Sequence, residues 1–233
     1  MIDLHMHSTA SDGTDTPEAI ITKCAKLRLE LCAITDHDTI DSQQQAVETA
    51  KKLGQKYITG VEFSVRHEGE LHILGYGVDV YDAAFRAQIG ELMESRVGRV
   101  HAILGELKKH DIRVGFDDVL RHAEGNTLGR PHVALALMEK GYADSMQDAF
   151  SKYLNENGLC YVQRRKLNAA QAMELIKSAG GTPVLAHPKF IRTDDMEGLV
   201  ADMVRAGLEG IEAYYPAHTD SDVKKFLKIY NMR

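Results

Sequence analysis

The sequence predicts an α/β protein with a helical insertion, and three observations along the chain lead to this fold class. Residues 1–82 alternate short apolar runs with helical patterns, which is typical of parallel strands connected by crossover helices. Residues 83–158 show helical periodicity and little strand character. Residues 159–233 return to the alternating pattern. We therefore expect residues 1–82 and 159–233 to form one barrel or doubly wound sheet, with residues 83–158 inserted into it.

The first part of the chain contains four predicted strands and two predicted helices. Thr16 and Pro17 begin the first helix, because a threonine side chain caps the first turn and proline fits there without losing a hydrogen bond. Gly54 ends the second helix, at a position where glycine readily adopts the left-handed conformation. The strands are predicted at residues 2–7, 31–35, 57–65 and 71–78, and the helices at 16–29 and 41–54.

The rest of the chain is predicted to be mostly helical. In the insertion, Pro131 marks the start of one helix, Gly141 follows its end, and Ser145 caps the next helix. The predicted helices of the insertion are 83–110, 116–124, 131–140 and 146–155. After the insertion, helices are predicted at 168–180, 196–206 and 221–230, and strands at 182–186 and 210–215.

The composition is that of an ordinary globular domain and excludes several classes of protein. Of the 233 residues, 44% are hydrophobic and 27% are charged, so the chain can bury a core without disulfide bonds. The formal net charge of −6 means that any nucleic-acid contact must use a local basic pocket. Three cysteines without a C-x-x-C pair, no long apolar stretch and no secretory signal predict a cytoplasmic protein without a membrane partner.

Eleven histidines are present, and two of them lie in a motif suited to a metal ion. His5 and His7 are two residues apart in a predicted strand, so their side chains share one face, and Asp12 follows in the next loop. Imidazole and carboxylate groups are common metal ligands. A lone His-x-His pattern is more often formed by surface or structural histidines, so the interpretation depends on the other motifs of the chain.

Further histidines and carboxylates lie at or near the ends of the other predicted strands. Because the C-terminal ends of parallel strands meet at one edge, we expect these side chains to converge with the first motif. His72 fits least well, since it lies near the start of its strand. The whole set exceeds what one ion needs, and its chemistry suits Zn, Mn or Fe. The additional candidates are His37, Glu62, His72 and His187.

Taken together, these motifs resemble those of the PHP (polymerase and histidinol phosphatase) family of metal-dependent phosphoesterases. The matching segments are D-L-H-x-H-S and S-D-G within 3–13, I-T-D-H-D at 34–38, G-V-E-F-S at 60–64, L-H-I-L-G-Y at 71–76 and A-H-P at 186–188. The resemblance implies a distorted (β/α)7 barrel with metal ions at the C-terminal ends of its strands. The insertion, with G-R-P-H at 129–132, resembles the branch of nucleoside 3′,5′-bisphosphate phosphatases and a related 5′-to-3′ exoribonuclease.

The resemblance also implies a cofactor and a role for each ligand. It implies two or three divalent ions, with Mn²⁺ expected and Zn, Fe or Mg as alternatives, and a metal-bound hydroxide that attacks phosphorus. The family's last strand carries a G-S-D-x-H-type motif that this sequence lacks, so we expect that strand and two further ligands to be missing from this chain. The implied ligands are His5, His7 and Glu62 for the first ion, Glu62, His72 and His187 for the second, and Asp12 and His37 for the third.

Three other residues are assigned to the substrate and its leaving group. Arg130 and His132 lie at a predicted helix start and are expected to contact a substrate phosphate, since helix N-termini and guanidinium groups favour anions. His218 is a candidate general acid for the leaving oxygen. The basic run at 163–166 is interpreted either as a solvated linker or as a patch for a polynucleotide backbone.

The expected substrate is a nucleotide or a short 5′-phosphorylated RNA, with the insertion acting as a lid and no obligate protein partner. Two alternatives stay open at this point. One is a phosphatase for a small metabolite such as histidinol phosphate. The other is a catalytically incomplete fragment that binds phosphate or RNA without turning it over.

Overall fold

A computed structural model describes residues 1–123 and 128–231 and shows an α/β fold. The predicted α/β class is therefore confirmed. A π-helical turn, Phe150–Leu154, follows the sixth helix, and a 3₁₀ turn, Pro188–Phe190, follows the fifth strand. In chain order the elements are β1 (Ile2–Met6), α1 (Pro17–Lys26), β2 (Leu31–Ile34), α2 (Gln43–Leu53), β3 (Gly60–Ser64), β4 (His72–Tyr76), α3 (Ala83–Lys109), α4 (Phe116–Leu120), α5 (Arg130–Glu139), α6 (Met146–Ala149), α7 (Ala169–Ser178), β5 (Thr182–Leu185), α8 (Met196–Arg205), β6 (Gly210–Ile211) and α9 (Asp220–Asn231).

Among the predicted elements, three differ most from the structure. The predicted helix 116–124 is the five-residue α4, and its expected last residue, Glu124, lies outside the described residues. The predicted helix 146–155 is divided into α6 and the π-helical turn. The predicted strand 210–215 is the two-residue β6, because among the described residues of this segment only Gly210 and Ile211 pair with β5.

The strands form two sheets, and one of them is mixed. β1 and β2 pair in parallel, and the other sheet has the order β3-β4-β5-β6. Isolated parallel bridges, Cys32 with Tyr57 and His37 with Glu62, connect the β2 segment to the β3 segment. β4 is antiparallel to both β3 and β5, so the prediction of parallel strands is wrong at this position. The physical reason is the short connection between β3 and β4, which cannot hold the crossover that a parallel pair requires.

Two separate apolar cores share one long helix. The N-terminal half of the 27-residue α3 places Phe85 and Leu92 in a core beneath the larger sheet. The C-terminal half places Ile103 and Leu107 in a second core with Leu137 and the other helices of the insertion. Because both halves of α3 are anchored by burial, the helix holds the inserted helices against the strand ends. A membrane-spanning helix is not found among residues 1–123 and 128–231, and even α3 carries charged side chains along its length.

Candidate metal centre and basic cavity

The predicted ligands come together at one edge of the sheets. His5 lies in β1, His7 follows β1 directly, and His37 lies three residues beyond the end of β2. Glu62 is in the middle of β3, and His187 follows β5. The positions of His7, His37 and His187 agree with the expectation that ligands gather where strands end, whereas Glu62 lies inside its strand.

His72 reaches the same place by a different route from the one that the sequence suggested. In the antiparallel pair, Ser64 at the end of β3 lies opposite His72 at the start of β4. The start of an antiparallel strand therefore lies beside the end of its neighbour. This pairing explains why a histidine near the beginning of its strand joins the others.

The buried carboxylate of Glu62 is the centre of the cluster. Its Oε1 lies 2.8 Å from Nδ1 of His72 and 2.9 Å from Nε2 of His187. Its Oε2 lies 3.1 Å from Nε2 of His5, 3.0 Å from Nε2 of His7 and 3.3 Å from Nδ1 of His37. Five imidazoles thus surround one carboxylate.

Asp12 lies at the rim of this cluster. One of its carboxylate oxygens is 3.1 Å from Nδ1 of His7, and the other is 3.6 Å from Nε2 of His37. Its loop is held in place by Gly13, since a Cβ atom at that position would lie 2.1 Å from the carbonyl oxygen of His7. The chain therefore needs glycine here in order to turn back and present Asp12.

The residues of the cluster fit divalent metal ions. A carboxylate offers about four lone-pair positions, fewer than the five ring nitrogens that approach Glu62. The buried Nδ1 atoms of His37 and His187 have no hydrogen-bond partner among the described residues. Two groups of ligand atoms, His5–Glu62–His187 and His7–His37–Glu62, each lie within 4.8 Å of one another. Cations shared between these ligands would relieve the crowding and would pair the Nδ1 of His37, which lies 3.3 Å from Glu62 without a hydrogen bond.

The charges in the cluster are balanced by carboxylates. Burial lowers the pKa of His5, but Glu212 and Glu62 outweigh burial and raise that pKa to about 9. Burial is also outweighed at His7, whose pKa is raised to about 10 by Asp12 and Glu62. Burial lowers the pKa of His37 to about 3, so this imidazole is neutral. A divalent ion bound here would replace the protons of the charged imidazoles, because imidazole binds metal in its neutral form.

Two carboxylates that were not predicted as site residues position the ligands. Glu212 accepts a hydrogen bond at 2.7 Å from the backbone N–H of His187, and its other oxygen lies 2.9 Å from Nδ1 of His5. Asp36 accepts hydrogen bonds from the backbone and hydroxyl of Ser8 and from the hydroxyl of Ser11. Metal-binding histidines are commonly oriented by such carboxylates. For Asp36, the sequence signal was its position beside His37 at the end of a predicted strand.

A basic cavity of about 250 Å³ opens beside the cluster. The inserted helices, the segment after them and the connection between β3 and β4 supply its charged side chains. Burial, together with the neighbouring guanidiniums, lowers the pKa of Arg99. An anion in the cavity would compensate this excess of positive charge. The charged residues of the described lining are Arg66, Arg96, Arg99, Arg130, Arg164 and Lys166, and the carboxylates Asp12, Glu70 and Glu156.

Asp38 holds two of these arginines in place. Its Oδ2 accepts hydrogen bonds from Nε and an Nη atom of Arg96 at 2.9 and 2.6 Å, and from Arg164 at 2.5 Å. Burial alone would raise the pKa of Asp38, but the two guanidiniums outweigh it and hold that pKa well below its ordinary value. The basic run at 163–166 is therefore not simply a solvated linker, because the side chain of Arg164 is only 4% exposed.

The cavity arginines of α3 were missed in the sequence. Arg96 and Arg99 are three residues apart, so they lie on one face of the helix. This spacing was the available signal, but it is also common on exposed helix surfaces. Periodicity does not show which helix face meets the strand ends.

Comparison with known protein families identifies the fold. The family described as PHP domain matches residues 3–215. The chain belongs to the PHP domain family. The family-type motifs at the strand ends are therefore those of a PHP domain, and the cluster around Glu62 lies within the matched region.

Relatives of this PHP domain carry different names. It is 38% identical over 189 residues to the 5′-3′ exoribonuclease Rnm of Salmonella typhimurium, a match that spans 80% of this chain and 64% of that protein. It is 34% identical over 232 residues to the 3′,5′-nucleoside bisphosphate phosphatase of Chromobacterium violaceum, spanning 97% and 80%. A solved structure described as an amidohydrolase from Chromobacterium violaceum, with bound sulfate and no metal, matches with a TM-score of 0.88 and 32% identity over 99% of this chain and 83% of that chain.

The remaining predicted residues of the PHP domain have different surroundings. Arg130 lines the basic cavity, where its guanidinium donates to the carbonyl of Leu154 at 3.1 Å. His132 is buried, and its Nδ1 accepts the N–H of Gly129 at 3.1 Å, so one ring nitrogen caps the start of α5.

His218 lies behind the cleft rather than in it. Its Nδ1 donates to the carbonyl of Ala213 at 2.9 Å, and its ring packs between Tyr215 and Phe226. In this tautomer the buried Nε2 carries no proton and has no partner among the described residues. The placement does not favour the predicted role of His218 as a general acid.

Proposed function

We propose that this chain is a divalent-metal-dependent phosphoesterase that hydrolyses the 3′-phosphoester of nucleotides carrying a 5′-phosphate. The substrates are a nucleoside 3′,5′-bisphosphate, a 5′-phosphorylated RNA or both. The observation that carries the proposal is the position of the basic cavity, which opens directly onto the histidine and carboxylate cluster. The names of the two curated relatives support the same substrate class.

The ligand set supports two or three ions, and Mn²⁺ is the proposed metal. Bound ions would lower the pKa of a coordinated water and neutralise charge on the phosphoryl oxygens. The chain's own carboxylates and imidazoles would hold the metal ions in fixed positions before the substrate binds. The proposed ligands are His5, His7 and Glu62, then Glu62, His72 and His187, then Asp12 and His37.

The basic cavity has the role of binding the phosphate that is not cleaved. Arg96 and Arg99 come from α3, and Arg130 comes from α5, so residues 83–158 act as a lid that grips this phosphate. A guanidinium pairs with phosphate oxygens through two parallel hydrogen bonds. When the 5′-phosphate is bound in the basic cavity, the phosphoester at the ribose 3′-oxygen is held at the cluster. In the reaction, the oxygen of water bonds to phosphorus and the bond from phosphorus to the ribose 3′-oxygen breaks.

The fold is proposed to be the distorted (β/α)7 barrel that the family resemblance implies. The parallel bridge between His37 and Glu62 supports this proposal, because it joins the β1–β2 pair to the larger sheet at the cluster. Strands β1 to β6 then follow one another around six positions of the barrel. This arrangement directs their ligands toward a common axis.

The proposed activity is tested by phosphate release from adenosine 3′,5′-bisphosphate with and without Mn²⁺. We expect release that depends on Mn²⁺, stops with EDTA, and exceeds release from histidinol phosphate at least about tenfold, since that substrate has no second phosphate for the cavity. Equal rates for both substrates would favour the small-metabolite alternative. Tight binding without turnover in excess Mn²⁺ would favour the binding-fragment alternative.

The affinity for substrate is expected to fall as the pH rises through about 8. Burial lowers the pKa of Lys166 to about 8, with Arg164, Arg130 and Arg99 acting in the same direction and Asp38 opposing them. Lys166 is therefore charged below this pH and neutral above it. We expect KM for adenosine 3′,5′-bisphosphate to rise between pH 7.5 and 9, by at most about tenfold per pH unit.

The control for this prediction is Lys166→Arg, which keeps its charge across the range. KM of this variant should depend on pH distinctly less than KM of the wild type, as measured by steady-state kinetics. Parallel KM profiles for both proteins would show that Lys166 does not contribute to substrate binding.

A further inference from the structure

The cluster of histidines and carboxylates around Glu62 has two different sides. His37, His72 and Asp12 face the basic cavity. On the other side, the rings of His5 and His187 face an aromatic pair formed by Phe190 and Tyr215. The centroid of the Tyr215 ring lies 5.7 Å from that of His5 and 5.3 Å from that of His187. The Phe190 ring lies 5.6 Å from that of His187.

This aromatic pair is open to the cleft. Phe190 and Tyr215 both line the small cavity above the cluster, with ring centroids 6.2 Å apart at an angle of 86°. Phe190 is 39% exposed, whereas Phe63, Phe85 and Phe226 are almost completely buried. A large apolar ring left exposed at a cleft is a typical ligand contact.

The pair is also held rigidly. Phe190 lies in the 3₁₀ turn that follows His187 directly, and the backbone N–H of His187 is fixed by Glu212. Tyr215 is supported from behind by the ring of His218, 5.5 Å away. The surface is therefore preorganised, so little conformational entropy is lost when a flat group packs on it.

We propose that Phe190 and Tyr215 form a stacking surface for the base of the nucleotide downstream of the scissile phosphate. The inference rests on the proposed function, which places the 5′-phosphate in the basic cavity and the scissile phosphate at the cluster. The chain beyond that phosphate then leaves on the opposite side, where the exposed surface is aromatic. Aromatic rings stack on bases of any sequence, and their presence favours single-stranded RNA over a mononucleotide.

The arrangement has a consequence for the products. When the bond between phosphorus and the first ribose 3′-oxygen breaks, that oxygen takes a proton and the first nucleotide leaves as a 5′-mononucleotide. The phosphate remains on the downstream nucleotide, which becomes a new 5′-phosphorylated end. This end can enter the basic cavity, so the product of one cycle has the chemistry of the next substrate.

The first test compares substrates with and without a downstream base. The substrates are adenosine 3′,5′-bisphosphate, the 5′-phosphorylated dinucleotide pApA, and a pApN analogue whose second nucleotide is abasic. For Phe190→Ala, we expect kcat/KM for pApA to fall about tenfold, the size expected for one base–aromatic stack. For the bisphosphate and for the abasic dinucleotide, kcat/KM should fall by no more than about twofold. Phe190→Trp, which keeps a stacking ring, should restore turnover of pApA.

Tyr214→Ala is the matched control, because Tyr214 neighbours the pair but is 74% exposed and is not among the described residues that line the cavity above the cluster. This variant should not change the ratio of the rates for pApA and the bisphosphate. Equal losses for all three substrates in Phe190→Ala would overturn the inference, since the ring would then act only on the cluster itself.

A second test measures stacking without catalysis. In EDTA, a 5′-phosphorylated dinucleotide with 2-aminopurine as its second base should lose fluorescence on binding to the wild type, and markedly less on binding to Phe190→Ala. Quenching in a protein that hydrolyses none of the substrates would support the stacking surface and contradict the proposed function. Turnover of the substrates without quenching in the wild type would contradict the stacking surface alone.

Discussion

Replacing Glu62 by glutamine is expected to abolish metal-dependent phosphate release. The substitution keeps the size of the side chain but removes the negative charge around which five imidazoles gather. It also places an amide donor where ring nitrogens now approach an oxygen and where a cation would bind. Loss of the several kcal/mol that metal ions contribute to the transition state corresponds to a fall in kcat/KM of roughly a thousandfold.

The measurement pairs activity with metal content, determined by elemental analysis after incubation with Mn²⁺. Glu62→Gln should bind distinctly less metal than the wild type. Glu68→Gln is the matched control, because Glu68 is an exposed carboxylate in the connection that follows β3. Full metal content together with wild-type activity in Glu62→Gln would show that the cluster is not the catalytic metal centre.

The convergence of the ligands could be predicted because it depends on local information. His5 and His7 share a strand face, and His37 and His187 follow apolar runs that are recognisable in the sequence. His72 shows the limit of this reasoning. Its position follows from the antiparallel pairing of β4, and the alternating pattern of the chain favours parallel strands. The short charged connection between β3 and β4 was the signal for the antiparallel hairpin.

The basic cavity could be predicted only in part, because it is assembled from distant segments. Arg130 was found through its helix start, whereas Arg96 reaches Asp38 across 58 residues and Arg164 reaches it across 126. Neither contact follows from helical periodicity or charge. The Arg96 contact depends on which face of α3 meets the strand ends, and this is decided by the packing of Phe85 and Leu92 in the core. The Arg164 contact depends on the path of the segment that follows the insertion.

Asp38 is expected to stabilise the fold because it is the common partner of two guanidiniums. Its side chain and that of Arg164 are almost completely buried, and Arg96 is largely so. Asp38 has a φ of 52°, a left-handed conformation that asparagine also adopts. In Asp38→Asn, the amide oxygen can still accept the N–H of Ser64, which now donates to Asp38 at 3.1 Å. The amide nitrogen then faces the guanidiniums, so hydrogen-bond donors face one another without an acceptor.

We expect Asp38→Asn to lower the free energy of unfolding by about 3 kcal/mol, because removing one partner leaves buried charges uncompensated. Urea denaturation measures this change. Asp202→Asn is the matched control, since Asp202 forms an exposed ion pair with Arg205 and its loss should cost less than about 1 kcal/mol.

Sulfate gives the same experiment a second, independent readout. An anion that binds between Arg96 and Arg164 replaces the lost carboxylate and stabilises only the folded state. Sulfate should therefore raise the stability of Asp38→Asn more than that of the wild type. If Asp38→Asn unfolds like the wild type, or if sulfate stabilises both proteins equally, Asp38 does not hold the arginines against their mutual repulsion. If both expected results are found, the Asp38 carboxylate holds the two arginines in the free protein and lies beside the position that a substrate phosphate enters. Removing this carboxylate then lowers the stability of the fold and raises its affinity for anions.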